Sequence, residues 1–219
     1  MARELRDALS SPDFNRLALT GITKRITKPW WNLRWAEHAK PGALFFATAS
    51  GRLTPGSGKV PCLYLAQNRE TSFEELYGDD IDAAKKRGRT ILFTRRDLEN
   101  RIYLKTAEEL TIKLYDLTAA KSAKKIGLDL GTLYTPQVDH PRLYAQRLHD
   151  HPARFDGIQY LSRQTQSLCL VLWATHTPSL KRVKMETGPS LWDLTKFDRS
   201  LLPGSLRLFD AEIQVAASP

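Results

Sequence analysis

The longest apolar stretches of this 219-residue chain are strand-sized, and they are scattered among isolated helices in no regular alternation. Val60 to Ala66, which follows a stretch rich in Gly, Ser, Thr and Pro, and Leu168 to Ala174, within a strand expected at Ser167 to Ala174, are the clearest runs. Further strands are expected at Gly21 to Thr27, Ala43 to Thr48, Ile91 to Thr94, Ile102 to Lys105, Thr111 to Leu117, Gly157 to Leu161 and about Ser205 to Val215. Trp30 to Trp35 is an aromatic-rich segment that requires burial. Asn68 is a cap for a helix running to Tyr77 and ended by Gly78, with a short helix from Asp79 through Lys86 after it. A helix over Ala119 to Ile126 is closed by Gly127, and another spans His140 to His149, with Leu143, Tyr144, Arg147 and Leu148 at helical spacing. This order argues for the α+β class rather than a doubly wound α/β sheet. Residues 2–19 alternate charge with Leu5, Leu9, Phe14 and Leu17, which reads as a short helix and turn. The chain therefore divides into an N-terminal helical arm, 1–20, and one domain, 21–219, long enough to bury a core without metals or disulfides.

Cys62 and Cys169 both fall inside apolar runs, where an unpaired cysteine acts as a small hydrophobe, as expected in a reducing cytosol. The N-terminus carries no signal core and no apolar run approaches the roughly 18 residues of a membrane span, so a soluble, cytoplasmic protein is expected. A net charge of +9 and a pI near 9.6 favour anionic partners. Lys and Arg are nonetheless spread along the chain, with short clusters at Lys85 to Arg89, Lys121 to Lys125 and Lys181 to Lys184. No helix-turn-helix or RNA-binding signature accompanies them, and direct nucleic-acid binding is not expected.

Several catalytic motifs can be set aside. Gly51 and Gly56 have P-loop spacing, but Ser57 follows Gly56 and Val60 follows Lys59, where a phosphate-binding loop needs Lys and then Ser or Thr directly after the second glycine. His140, His149 and His151 flank one helix without a matching Cys or acidic set, so no metal is expected. No Gly-x-Ser-x-Gly elbow is present.

The remaining candidates are individually weak and jointly informative. Arg52 follows Gly51 and precedes Thr54-Pro55-Gly56, a turn where a guanidinium can fork onto phosphate. Tyr64 lies in the strand Cys62-Leu63-Tyr64-Leu65-Ala66, Glu74 and Glu75 lie on the next helix facing different sides, and Ser162 ends the strand Gly157 to Leu161.

In this order and spacing, the motifs Ile22-Thr23-Lys24-Arg25-Ile26, Gly51-Arg52-Leu53-Thr54-Pro55, Leu63-Tyr64-Leu65-Ala66, Glu75 and Asp156 to Ser162 resemble the RES domain of bacterial NAD⁺-degrading toxins. The resemblance covers roughly residues 21–175. It implies an ADP-ribosyltransferase-like mixed or antiparallel β core with flanking helices. It also implies that NAD⁺ is the substrate and no metal is required: Arg25 and Arg52 would hold phosphate, Tyr64 would stack on the nicotinamide or its ribose, Glu75 would be catalytic together with Arg52, and Ser162 would bond the dinucleotide. Glu75 fits the family's distance from Tyr64 better than Glu74 does. Leu53 stands where the family usually has an aromatic, and the loop from Arg52 to Tyr64 is slightly long.

The residue types suit that chemistry. Breaking the nicotinamide–ribose bond leaves an oxocarbenium-like sugar that a carboxylate stabilises, while arginines clamp the pyrophosphate. The acceptor can be water, inorganic phosphate or a protein nucleophile. The resemblance thus implies a glycohydrolase or phosphorylase toxin that depletes NAD⁺, paired with an Xre-like DNA-binding antitoxin that covers the active site. Two rivals are an ADP-ribosyltransferase acting on a macromolecule and a non-catalytic nucleic-acid-binding or scaffold domain.

Overall fold

The structure, a computed structural model, describes residues 12–27, 29–39, 51–56, 60–89, 93–135, 138–176 and 185–197. Its strands are β1 (Ile22–Ile26), β2 (Trp31–Trp35), β3 (Cys62–Ala66), β4 (Arg101–Thr106), β5 (Leu110–Asp116), β6 (Gly157–Leu161), β7 (Leu168–Trp173) and β8 (Met185–Ser190). Its helices are α1 (Pro12–Arg16), α2 (Arg69–Lys86), α3 (Arg95–Glu99), α4 (Ala120–Lys125), α5 (Leu130–Tyr134), α6 (Asp139–His149) and α7 (Leu191–Phe197). The strands form one sheet in the order β1-β5-β6-β7-β3-β2-β4-β8. The β5–β6 pair is parallel and the other pairs are antiparallel. This is the α+β class expected, a mixed and mostly antiparallel β core flanked by helices.

The sheet cannot be flat. β4 and β5 stand five places apart in it, yet only residues 107–109 join them, so the sheet must curl back on itself. The concave side holds Leu63, Leu65, Leu170 and Leu172 with Ile26, Leu104, Ile112 and Leu114. The opposite face of β6 and β7 packs Ile158, Tyr160, Cys169, Val171 and Trp173 with Tyr144 and Leu148 of α6, and with Phe14 and Leu19 of the N-terminal segment. With both faces of β7 buried, its unbroken apolar run needs no polar alternation. A third cluster joins Leu33 and Tyr103 of the sheet to Phe73 and Ile81 of α2, Leu98 of α3, and Leu191 and Leu194 of α7.

Local chemistry sets the element ends. The Asn68 side chain accepts from Thr71 N at 2.8 Å, as its capping role requires. Thr94 and Asp97 form a reciprocal capping box that starts α3. Gly127 closes the turn after α4 at φ 69°. Gly78 does not end a helix: α2 runs unbroken to Lys86. Gly78 is buried against Gln164, whose Cγ would stand 2.7 Å from an added Cβ, so this glycine serves close packing rather than termination. Gly188 and Pro189 lie within edge strand β8, where proline is tolerated. The strands expected at Ala43 to Thr48 and Ser205 to Val215 lie outside the described residues, as does the Lys181 to Lys184 cluster. So do residues 91 and 92 of the strand expected at Ile91 to Thr94, and Thr94 itself caps α3.

Candidate functional site

A cleft of about 640 Å³ opens where the sheet splits between β2 and β3. These strands share a single pair of opposed residues, Trp31 and Ala66, whereas β3 and β7 share five. Beyond that pair β2 diverges, and the Asn32 side chain bridges the gap by donating from Nδ2 to Tyr64 O at 2.8 Å. Residues of both strands line the opening, and α2 roofs it with Ser72, Glu75, Leu76 and Asp79. Those four positions follow i, i+3, i+4, i+7, which places them on one face of the helix.

Glu75 is the carboxylate this roof delivers. The Tyr160 hydroxyl donates to Glu75 Oε2 at 2.9 Å, tying α2 to β6. Burial first, and then the Glu75 charge, hold the Tyr160 phenol well above its ordinary range, so it remains a donor. Tyr160 stands directly opposite Cys169, whose thiol burial also keeps protonated. Glu74, one residue back, sits at the junction with a neighbouring groove of about 470 Å³ that also takes Glu70, Asp82 and Lys85.

The Arg52 turn is fixed from several sides. The Tyr64 hydroxyl accepts from Leu53 N at 3.1 Å and shares a hydrogen bond with Thr54 Oγ1 at 3.0 Å, while Gly51 N donates to Thr54 Oγ1 at 3.1 Å. Gly51 must lack a side chain because its Cβ would fall 2.3 Å from Tyr64 Oη. Arg142 of α6 donates to Gly51 O at 3.1 Å, and Arg52 itself donates to Thr135 O. The Arg52 guanidinium lies below its usual range, first because it is buried and next because the positive Arg163 is near; Glu75 acts in the opposite direction. Arg163 pairs with Asp79 and donates to Tyr134 O at 3.3 Å.

The cleft thus brings together Arg52, Tyr64 and Glu75 of the expected set. It does not bring in Arg25 or Ser162. Arg25 projects from edge strand β1, 68% exposed, and is ion-paired with Glu109 through Nε at 2.9 Å and through Nη2. Ser162 is fully buried, and its Oγ accepts from Gln164 N at 3.2 Å and Thr165 N at 3.4 Å, stitching the turn between β6 and β7. The strand arginine in the cleft wall is Arg34 on β2, which sequence reasoning missed. Its Nε donates to Asn32 Oδ1 at 2.5 Å, and burial lowers its pKa to about 10. Tyr160 and Arg163 were also missed as site residues; their position around Ser162, at the end of a recognisable strand, was the available signal.

A carboxylate oriented by a phenol, with the guanidiniums of Arg34, Arg52, Arg101 and Arg163 and several aromatic faces in one cleft, suits an anionic ligand that develops positive charge at one carbon. Among the described residues, no group of three or more His, Cys, Asp or Glu could hold a metal, and no helix is long and apolar enough to cross a membrane.

The model of the RES domain matches residues 22–196. No curated protein sequence matches the chain. Among solved structures, the fold is similar to a chain of the M. tuberculosis MbcT-MbcA toxin-antitoxin complex, with a TM-score of 0.56, 16% identity, and coverage of 90% of this chain and 97% of that one. The likeness bears on the fold, which this chain shares over nearly its whole length.

Proposed function

The chain belongs to the RES domain family, and from that premise we propose that it is the toxin of a toxin–antitoxin system and acts by cleaving the nicotinamide–ribose bond of NAD⁺. The observation that carries this reading is the Glu75 carboxylate, held by Tyr160 at 2.9 Å in a cleft that also takes Arg34, Arg52 and Arg163.

As nicotinamide departs, positive charge grows on the ribose C1′ and ring oxygen. Glu75 stabilises that charge and accepts from the 2′-hydroxyl, and Tyr160 keeps its second oxygen aimed. Arg34 and Arg52 clamp the pyrophosphate so that binding energy positions the scissile bond. Tyr64 both fixes the Arg52 turn through its hydroxyl and offers its ring to the cationic nicotinamide. Ser162 acts indirectly by holding the turn that carries Arg163. Water or inorganic phosphate then captures the sugar.

A toxin of this kind needs a partner that closes the cleft. That the similar structure is a toxin-antitoxin complex supports such a partner for this chain, and the Xre-like DNA-binding type is the one we propose. The experiment is induction of the wild type and of Glu75→Gln in a bacterial host, following growth and intracellular NAD⁺ together. Growth arrest that coincides with NAD⁺ loss in the wild type only is expected. Arrest with NAD⁺ unchanged would overturn the reading.

A further inference from the structure

Among the described residues, the large apolar side chains that remain exposed are Trp35, at 38%, and Leu76, at 40%, and both line the cleft. Trp35 ends β2 directly opposite Arg101 on β4, and the Arg101 guanidinium lies over the indole with Cζ 3.6 Å from the ring centroid. Arg101 is held in turn over Tyr77, 5.5 Å away. The next residue is anchored too, since Ala36 N donates to Asn100 O at 2.7 Å. The indole is therefore a rigid, exposed aromatic surface on a charged backing, the form in which proteins receive a planar base.

Its place in the sheet relative to Tyr160 selects which base. Tyr160, Cys169, Ala66 and Trp31 are lateral neighbours across four strands. Tyr160 therefore stands three strand spacings, about 14 Å, from Trp31, and Trp35 lies four residues, about 13 Å, further along β2. A ligand that reaches from Tyr160, the hydrogen-bond partner of Glu75, to Trp35 must be extended, as a dinucleotide is. Arg34, beside Trp35, lies where a pyrophosphate would pass.

We propose that Trp35, backed by Arg101, seats the adenine ring of the dinucleotide at the cleft mouth, leaving the nicotinamide end to Glu75. This rests on the NAD⁺ reading above and adds the ligand's direction in the cleft. Trp35 is then a specificity residue for the adenylate half and leaves the nicotinamide half untouched.

The test is calorimetric binding of ADP-ribose and of nicotinamide mononucleotide to wild type, Trp35→Ala and Trp35→Phe, with thermal unfolding as the folding control. Trp35→Ala should weaken ADP-ribose about ten-fold, in the range of a lost base–aromatic stack. It should shift nicotinamide mononucleotide less than two-fold, and Trp35→Phe should recover most of the ADP-ribose affinity. Equal weakening of both ligands, an unchanged ADP-ribose affinity, or no ADP-ribose binding to the wild type would each overturn the proposal. Trp35-dependent ADP-ribose binding by a protein that leaves NAD⁺ intact would sink the cleavage reading while the adenine seat stood.

Discussion

Replacing Tyr160 by Phe removes one oxygen atom and leaves the ring that packs between β6 and the helices. The lost group is a buried donor on the Glu75 carboxylate at 2.9 Å. A hydrogen bond to a charged partner is worth about 1.5–3 kcal/mol. Because Glu75 is itself exposed, water replaces part of that, so the lower end, about 1.5 kcal/mol, is the relevant figure, or roughly ten-fold in rate. The assay is steady-state NAD⁺ cleavage. Tyr160→Phe should lower kcat about ten-fold with KM within two-fold, because the bond orients the carboxylate rather than holding substrate. Tyr160 keeps its proton well above the ordinary tyrosine range, so the ratio of wild type to variant should stay constant from pH 8 to pH 10. A kcat within two-fold of wild type, or a ratio collapsing toward one near pH 10, would refute the reasoning.

Other consequences follow from the same geometry. Gly51→Ala would place a methyl 2.3 Å from Tyr64 Oη, so it should displace the Arg52 turn and cut activity more than ten-fold, with a fall of only a few degrees in Tm. Gly157→Ala meets the Val171 carbonyl oxygen at 1.9 Å in the centre of the sheet; a cost of about 3 kcal/mol or more should lower Tm by roughly 10 °C or prevent folding, read by calorimetry. His151 is buried between Phe14 and Phe155 with Lys113 nearby, and burial sets its pKa below the ordinary 6.5. Below about pH 6.5 the unfolded chain takes up a proton that the folded one refuses, so stability should fall on acidification. Tm measured from pH 7.5 to 5.5 should fall less steeply in His151→Phe than in wild type, and parallel curves would contradict this.

The parts of the fold that local chemistry controls could be read from the residues alone. The Asn68 cap and the Gly127 closure are each fixed by neighbours a few positions away, and the strand over Gly157–Leu161 shows in its own apolar run. Short helices such as α5 were passed over because five residues give no periodicity; the Asp129 cap on Gly131 N was the one local sign. Gly78 misled because its reason, the Gln164 side chain, comes from 86 positions later.

The site shows the same division. Gly51, Arg52 and Tyr64 form one short-range unit, and Glu75 lies one helix beyond it. Arg25 and Arg34 are both strand arginines nine positions apart, and nothing local separates them. Only the pairing does: β1 closes the edge of the sheet against β5, while β2 parts from β3 and opens its polar face to the cleft. Ser162 ends the right strand but points into its own turn, a choice made by the backbone of residues 163–165.

The central claim is that Glu75 drives cleavage of NAD⁺, and purified protein incubated with NAD⁺, with and without inorganic phosphate, tests it most directly. Products identified by mass should be nicotinamide with ADP-ribose or its phosphorylated form, made by wild type and Glu74→Gln and lost in Glu75→Gln. Intact NAD⁺ with folded wild type under both conditions, or full activity in Glu75→Gln, would contradict it.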